Sequence, residues 1–247
     1  MYGRPPFTSR QSIQIGPRIT PVVKALIIAN VAVFFLQQII QVSSRTGLGT
    51  FWLIFGLSPH LVLTKLWIWQ PITYMFLHGS VFHILLNMLM LWMFGSELEK
   101  FWGSRKFLSY YVICGLGAAI TTAVFDFDSR SIGASGAIFG VLLAFGMLFP
   151  RRVILLWLII PIQARHLVWI AAGIEFLSVV NLQQTGGDGI AHWAHLGGML
   201  FGYLYLRRGG GLTGIFASIR WKIRRRRFRV LDNRDRGRDH DPHDSVH

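Results

Sequence analysis

Long apolar runs separated by short polar breaks dominate the chain, and six of them read as helices that cross a bilayer, which takes roughly 20 helical residues. The first spans Val22 to Val42, the second Val81 to Leu98 and the third Phe107 to Phe125. The fourth, Gly133 to Phe149, is short and opens Gly-Ala-Ser-Gly. The fifth lies within Val153 to Val180, where Pro161, Gln163, Arg165 and His166 interrupt the pattern. Its helix is placed at His166 to Val180, with Val153 to Pro161 as an apolar approach. The sixth runs from Ile190 to Leu206. Between the first two spans, Ser43 to Gly79 is long and rich in Trp and Phe, a composition that favours the membrane interface. The pattern predicts an all-α membrane protein: a six-span bundle with a long interfacial loop between the first and second helices. Residues 1–20 read as a leader, 21–208 as the six-span domain and 209–247 as a basic, disordered tail.

Composition supports this reading and removes others. Of the 247 residues, 52% are hydrophobic and only 15% charged, where a soluble globule carries about 25% charge. Nineteen Phe and nine Trp exclude a disordered chain, and the lone Cys114 excludes a disulfide scaffold.

The net charge of +14 admits nucleic acid or a membrane surface as partner, and the placement of the charges decides. Sorted by the alternate compartments that six spans define, 22 of the 25 Lys and Arg fall on the side of both termini and 3 on the other. That asymmetry predicts cytoplasmic termini in a cell membrane. Arg220 to Arg229 holds seven basic residues among Trp221, Ile223 and Phe228, and reads as a segment that touches anionic lipid. Membrane lipid is therefore an expected partner and nucleic acid is not.

Polar groups inside spans are costly, so each is a candidate for function. His83 and Asn87 are four apart, hence on one helical face. Ser135 opens the fourth span, and His195 lies early in the sixth. With the termini inside, these three spans all run inward, so the three polar groups share one layer near the outer face. Gly136 with Gly140, and Gly198 with Gly202, have the GxxxG spacing that lets helices approach closely in lipid. Such packing would bring the Ser135 hydroxyl to the His195 imidazole. A base beside a hydroxyl makes a nucleophile, and His83, Asn87 and the Ser135 amide are candidate donors to the resulting oxyanion. No acid stands as a third member; Glu175, in the fifth span, is the only carboxylate near a span interior, so a Ser–His dyad is the simpler reading. Gly186, Gly187 and Gly189 precede the sixth helix, and this loop with the fifth helix is expected to move to admit substrate.

These residues resemble the rhomboid family of intramembrane serine proteases, over about Trp69 to Lys106, Gly133 to Gly140 and Ala191 to Gly202. Gly133-Ala134-Ser135-Gly136 is similar to that family's GxSG nucleophile motif. Ala194-His195-Leu196-Gly197-Gly198 with Gly202 resembles its AHxxGxxxG base motif, and His83 with Asn87 its HxxxN oxyanion pair. The resemblance implies Ser135 as nucleophile, His195 as base, and His83, Asn87 and the Ser135 amide as oxyanion stabilisers. It also implies a transmembrane protein substrate cut near its outer end, and a structural role for Glu99 and Gly103. Two positions depart from the pattern. Gln70 follows Trp69 where the family usually has Arg, and Phe139 stands where many members have Tyr.

Two other classes compete: a transporter using His78, His83, His192 and His195 as ion or metal ligands, and a rhomboid-like protein without activity. The HExxH signature is missing and no carboxylate accompanies the histidines, so no metal or other cofactor is expected. A protein without activity would lack the Ser–His pair that this chain keeps.

Overall fold

A computed structural model describes residues 17–207, apart from 45, 157–159 and 186–190, and the backbone alone for 181–185. The loop glycines Gly186, Gly187 and Gly189, most of the leader, and the tail over 209–247 lie outside the described residues.

The first predicted span is helix α1, Pro21–Ser43. Pro21 suits the first helical position, where its missing N–H serves no intrahelical bond. The loop that follows carries three short helices, α2 (Gly47–Phe55), α3 (Pro59–Lys65) and α4 (Gln70–Thr73). The second span is longer than its apolar run. It passes from α5 (Val81–Met90) through a π-helical turn, Leu91–Gly95, into α6 (Ser96–Trp102). Gly103 stops it with a φ of 84°, a conformation that favours glycine, and α7 (Ser104–Phe125) starts at the next residue. Helix α8, Ser135–Leu148, covers most of the fourth apolar run and packs against α5, α6, α7 and α9 (Ala164–Thr185). The last α-helix among the described residues is α10, His192–Tyr205.

The apolar approach to the fifth helix is a β-hairpin, so the chain is mostly helical rather than all-α. Strand β1 (Val153–Leu156) pairs antiparallel with β2 (Ile160–Gln163), in a register that sets Val153 opposite Gln163 and Leu155 opposite Pro161. Val and Ile favour extended backbone, and a two-stranded ribbon has only edges, where proline's missing N–H is tolerated. The helix behind it starts at Ala164, two residues before the predicted boundary.

Among the described residues, three helices are long and apolar enough to cross a membrane: Pro21–Ser43, Val81–Trp102 and Ser104–Phe125. Helices α8 and α10 have 14 residues each, about 21 Å at 1.5 Å per residue, against a hydrocarbon core of about 30 Å. The distribution of side chains is that of an integral membrane protein. Phe35, Ile39, Leu85, Val124, Trp169 and Phe176 are exposed, while Asn30, Gln37, Gln70, Asn87 and Glu175 are buried.

The chain separates into two compact units, Met1–Gly202 and Tyr203–His247. In the second, the described residues are 203–207, where the Arg207 guanidinium lies 5.8 Å from the Tyr203 ring centroid.

Buried amides and one carboxylate tie the first unit together. Gln70 is fully buried: its Oε1 accepts from Ser58 N–H at 3.0 Å, and its Nε2 donates to the Leu53 and Ile54 carbonyls at 2.9 and 3.3 Å. The amide thereby fastens the loop where the family pattern has Arg. Gln37 does the same between α1 and the loop before α5, donating to His78 O and accepting from His78 N–H, both at 3.1 Å.

Glu99 caps two helices at once. Its carboxylate accepts from the backbone N–H groups of Val22 (3.0 Å) and Val23 (2.9 Å), and from the hydroxyls of Thr20 (2.5 Å) and Ser104 (2.6 Å). A negative charge at the start of α1 also complements the helix dipole. Glu99→Ala strands the buried Val23 N–H and three part-buried donors, and an unmet buried donor costs about 1–3 kcal/mol. A loss of at least about 3 kcal/mol is expected, read as a fall in thermal midpoint in detergent. Unchanged melting would remove this role for Glu99.

Candidate active site

Ser135 is the first residue of α8 and half-buried. The segment before it is fixed from two sides. Ser131 and Leu57 exchange backbone hydrogen bonds of 2.9 and 3.0 Å, and Gly133 N–H donates to Tyr74 O at 2.9 Å. Gly133 has a φ of 124°, and a Cβ there would sit 2.8 Å from the His83 ring, so the position requires glycine twice over. The backbone N–H of Ser135, as a first-turn residue, has no intrahelical acceptor.

His195 is the fourth residue of α10. It reaches Ser135 because α8 and α10 meet backbone to backbone: a Cβ on Gly198 would overlap the Gly136 carbonyl, and one on Gly140 would lie 2.9 Å from Gly198 O. The two GxxxG faces are thus the contact that the spacing predicts. His195 Nε2 lies 2.8 Å from Ser135 Oγ, a hydrogen bond between a hydroxyl and an imidazole 60 residues apart. Phe139, one turn beyond Ser135, lies under the imidazole with ring centroids 4.3 Å apart and planes 7° from parallel. The ring stacks as a tyrosine would, without a phenol.

His83 is the third residue of α5, where Ser80 caps the helix by accepting from His83 N–H at 3.1 Å. Its imidazole abuts Gly133 on the side of Ser135: a Cβ on Gly133 would be 2.9 Å from His83 Nε2 and 3.6 Å from Ser135 Oγ. Asn87 follows one turn later, 5% exposed, and its Nδ2 has no hydrogen-bond partner among the described residues. A buried amide donor without an acceptor suits a group that acts on something absent from the resting protein. His78 stands edge-on to His83, with ring centroids 5.0 Å apart.

The carboxylate that the spacing did not place is present. Glu175, buried on α9, sets its Oε2 2.6 Å from His192 Nδ1 and 3.0 Å from His195 Nδ1. This corrects the expectation that no acid accompanies the histidines. The sequence signal existed, since Glu175 is a lone acid in an apolar helix and His192 precedes His195 by one turn. The uncertain start of α9 hid its depth.

Glu175, His192 and His195 offer the donor types of a metal site, all within 4.8 Å of one another. Tetrahedral zinc with bonds of about 2.0–2.1 Å spaces its ligand atoms by about 3.3 Å. The separations here, 2.6 and 3.0 Å from Glu175 Oε2, are shorter than that spacing and within hydrogen-bonding range.

The Rhomboid domain family matches residues 65–209, more than half of the chain, and the chain belongs to that family. It is 32% identical to the mitochondrial rhomboid protein 1 of Saccharomyces cerevisiae over 192 residues, 74% of this chain and 51% of that protein. It is 27% identical to the rhomboid protease AarA of Providencia stuartii over 219 residues, 81% of this chain and 76% of that protein. With RHOMBOID-like protein 4 of Arabidopsis thaliana it shares 35% identity over 136 residues, 55% of this chain. The chain spans 32% of the length of that plant protein and about half that of the yeast protein.

Proposed function

We propose that this protein is an intramembrane serine endopeptidase that cuts transmembrane segments of other membrane proteins near their outer ends. The contact that carries the reading is the 2.8 Å hydrogen bond from the Ser135 hydroxyl to His195 Nε2. Relatives named as rhomboid proteases, AarA and the GluP protein of Bacillus subtilis, support the same chemistry.

In this mechanism His195 Nε2 takes the proton of Ser135 as Oγ attacks the scissile carbonyl. The tetrahedral oxyanion is met by the Ser135 N–H, by Asn87 Nδ2 and by His83. Collapse breaks the C–N bond, and the proton passes from Nε2 to the departing amine, leaving an acyl-enzyme on Ser135. Water, deprotonated by the same imidazole, then releases the acid. No metal or cofactor has a part in the sequence.

The six-span topology of residues 21–208, with the termini cytoplasmic and the site opening outward in a cell membrane, belongs to this proposal. It is supported by the 22-to-3 partition of basic residues and by the positions of His83, Ser135 and His195 at the starts of their helices. The short α8 and α10 fit a site sunk below one surface, where water reaches them from the end.

Incubation with single-span substrates, with the cut mapped against the membrane boundary, tests the proposal. Cleavage near the cytoplasmic end would refute the orientation, and cleavage of none of a broad panel would refute the activity. Asn87→Ala is expected to raise the barrier by about 3 kcal/mol, the scale measured for a single oxyanion donor. It should lower kcat and leave KM nearly unchanged; full turnover in Asn87→Ala would remove Asn87 from the oxyanion site.

A further inference from the structure

We propose that Glu175 is a positioning residue for His195, so that the Ser–His pair works as part of a Ser135–His195–Glu175 relay with His192 as its second anchor. The inference rests on the proteolytic reading above and deepens it at the same site.

A neutral imidazole carries one proton and can serve Ser135 as a base only when Nε2 is bare and Nδ1 holds the hydrogen. What selects that tautomer is the group facing Nδ1. Glu175 Oε2 faces it at 3.0 Å, and no other acceptor serves this buried nitrogen among the described residues. Serine stands at the opposite nitrogen, 2.8 Å from Nε2. The carboxylate and the hydroxyl therefore lie on the two ends of one ring, in the order that base catalysis needs.

The carboxylate is itself held. His192 Nδ1 donates to the same Oε2 at 2.6 Å, and His192 and His195 are three apart on α10, so one oxygen faces two imidazoles from one helical face. His192 Nδ1 makes a hydrogen bond to Oε2, whereas His195 Nδ1, 3.0 Å from the same oxygen, does not yet make one. Catalytic hydrogen bonds often straighten only when substrate is bound. When His195 takes the serine proton it becomes a cation in a buried site, and the anionic Glu175 is the neighbour that stabilises it.

The test uses the full-length protein in proteoliposomes, a fluorogenic single-span substrate, and histidine-selective 15N NMR. Glu175→Gln keeps the size and hydrogen-bonding shape but removes the charge. It is expected to lower kcat by about 10- to 100-fold, part of the roughly 10²–10⁴-fold that a positioned general base contributes, with KM unchanged. Glu175→Asp should recover part of that loss. In wild type the NMR should show His195 protonated at Nδ1 and bare at Nε2, and in Glu175→Gln a mixture of tautomers.

Wild-type kcat in Glu175→Gln would overturn the proposal, as would the Nε2–H tautomer in the unmutated protein. The NMR on wild type decides alone if the variants do not fold. Ser135→Ala run alongside separates the two levels. If it retains turnover, the proteolytic assignment itself fails. If it is inactive while Glu175→Gln matches wild type, only the role of Glu175 fails.

Discussion

Ser135→Ala is expected to abolish cleavage of every membrane substrate while the protein still folds. The hydroxyl makes a hydrogen bond to His195 Nε2, and no methyl group can replace it as a nucleophile. The structural cost is small. Ser135 is half-buried, so water can satisfy the freed imidazole nitrogen, and a single neutral hydrogen bond contributes only about 1 kcal/mol net. Thermal melting should therefore shift little, whereas turnover falls to the uncatalysed background. A fluorophosphonate probe gives the same answer without a substrate: wild type should be labelled at Ser135, and Ser135→Ala and His195→Ala should not. Labelling that persists in Ser135→Ala would place the nucleophile elsewhere.

The second large effect is expected at Gly198, which touches no reacting atom. A side chain there would overlap the carbonyl of Gly136, and a backbone atom cannot swing aside as a flexible side chain can. Overpacking in a tight core costs about 1–3 kcal/mol, and an obstacle made of backbone puts Gly198→Val at or above the upper end. The only relief is to part α8 from α10, which lengthens the 2.8 Å contact between Ser135 and His195. Gly198→Val should lose both stability and probe labelling. Gly173 on α9 is the matching control, since a Cβ there meets no atom within 4 Å, and Gly173→Ala should melt and react like wild type. A Gly198→Val protein with normal melting and labelling would show that the two helices do not need their close approach.

Much of this was legible in the residue order because membrane solvent makes polar groups conspicuous. Ser135 and His195 stood out inside apolar runs, and the glycine spacing beside each supplied the reason for their meeting. His83 and Asn87 were legible as one helical face. The helix starts were less so. The β-hairpin before α9 was missed because an apolar run of Val, Ile and Leu has no period that separates strand from helix. The hairpin sets the start of α9 at Ala164, and with it the depth of Glu175. A carboxylate one helix away from its partners leaves no motif, since the residues that share it, His192 and His195, are brought to it only by packing. Glu99 was singled out through resemblance, but its contacts with Thr20, Val22 and Val23 join residues nearly 80 apart, which spacing cannot show.

The neutral amide at position 70 has an effect on the working range of the molecule. An arginine clasp would bring a cation that asks for a counter-ion and feels dissolved electrolyte. Gln70 engages its neighbours through dipoles alone, so neither acidity nor ionic strength has a handle on that fastening. The segment carrying α2 to α4 should stay seated in brine and in dilute buffer alike.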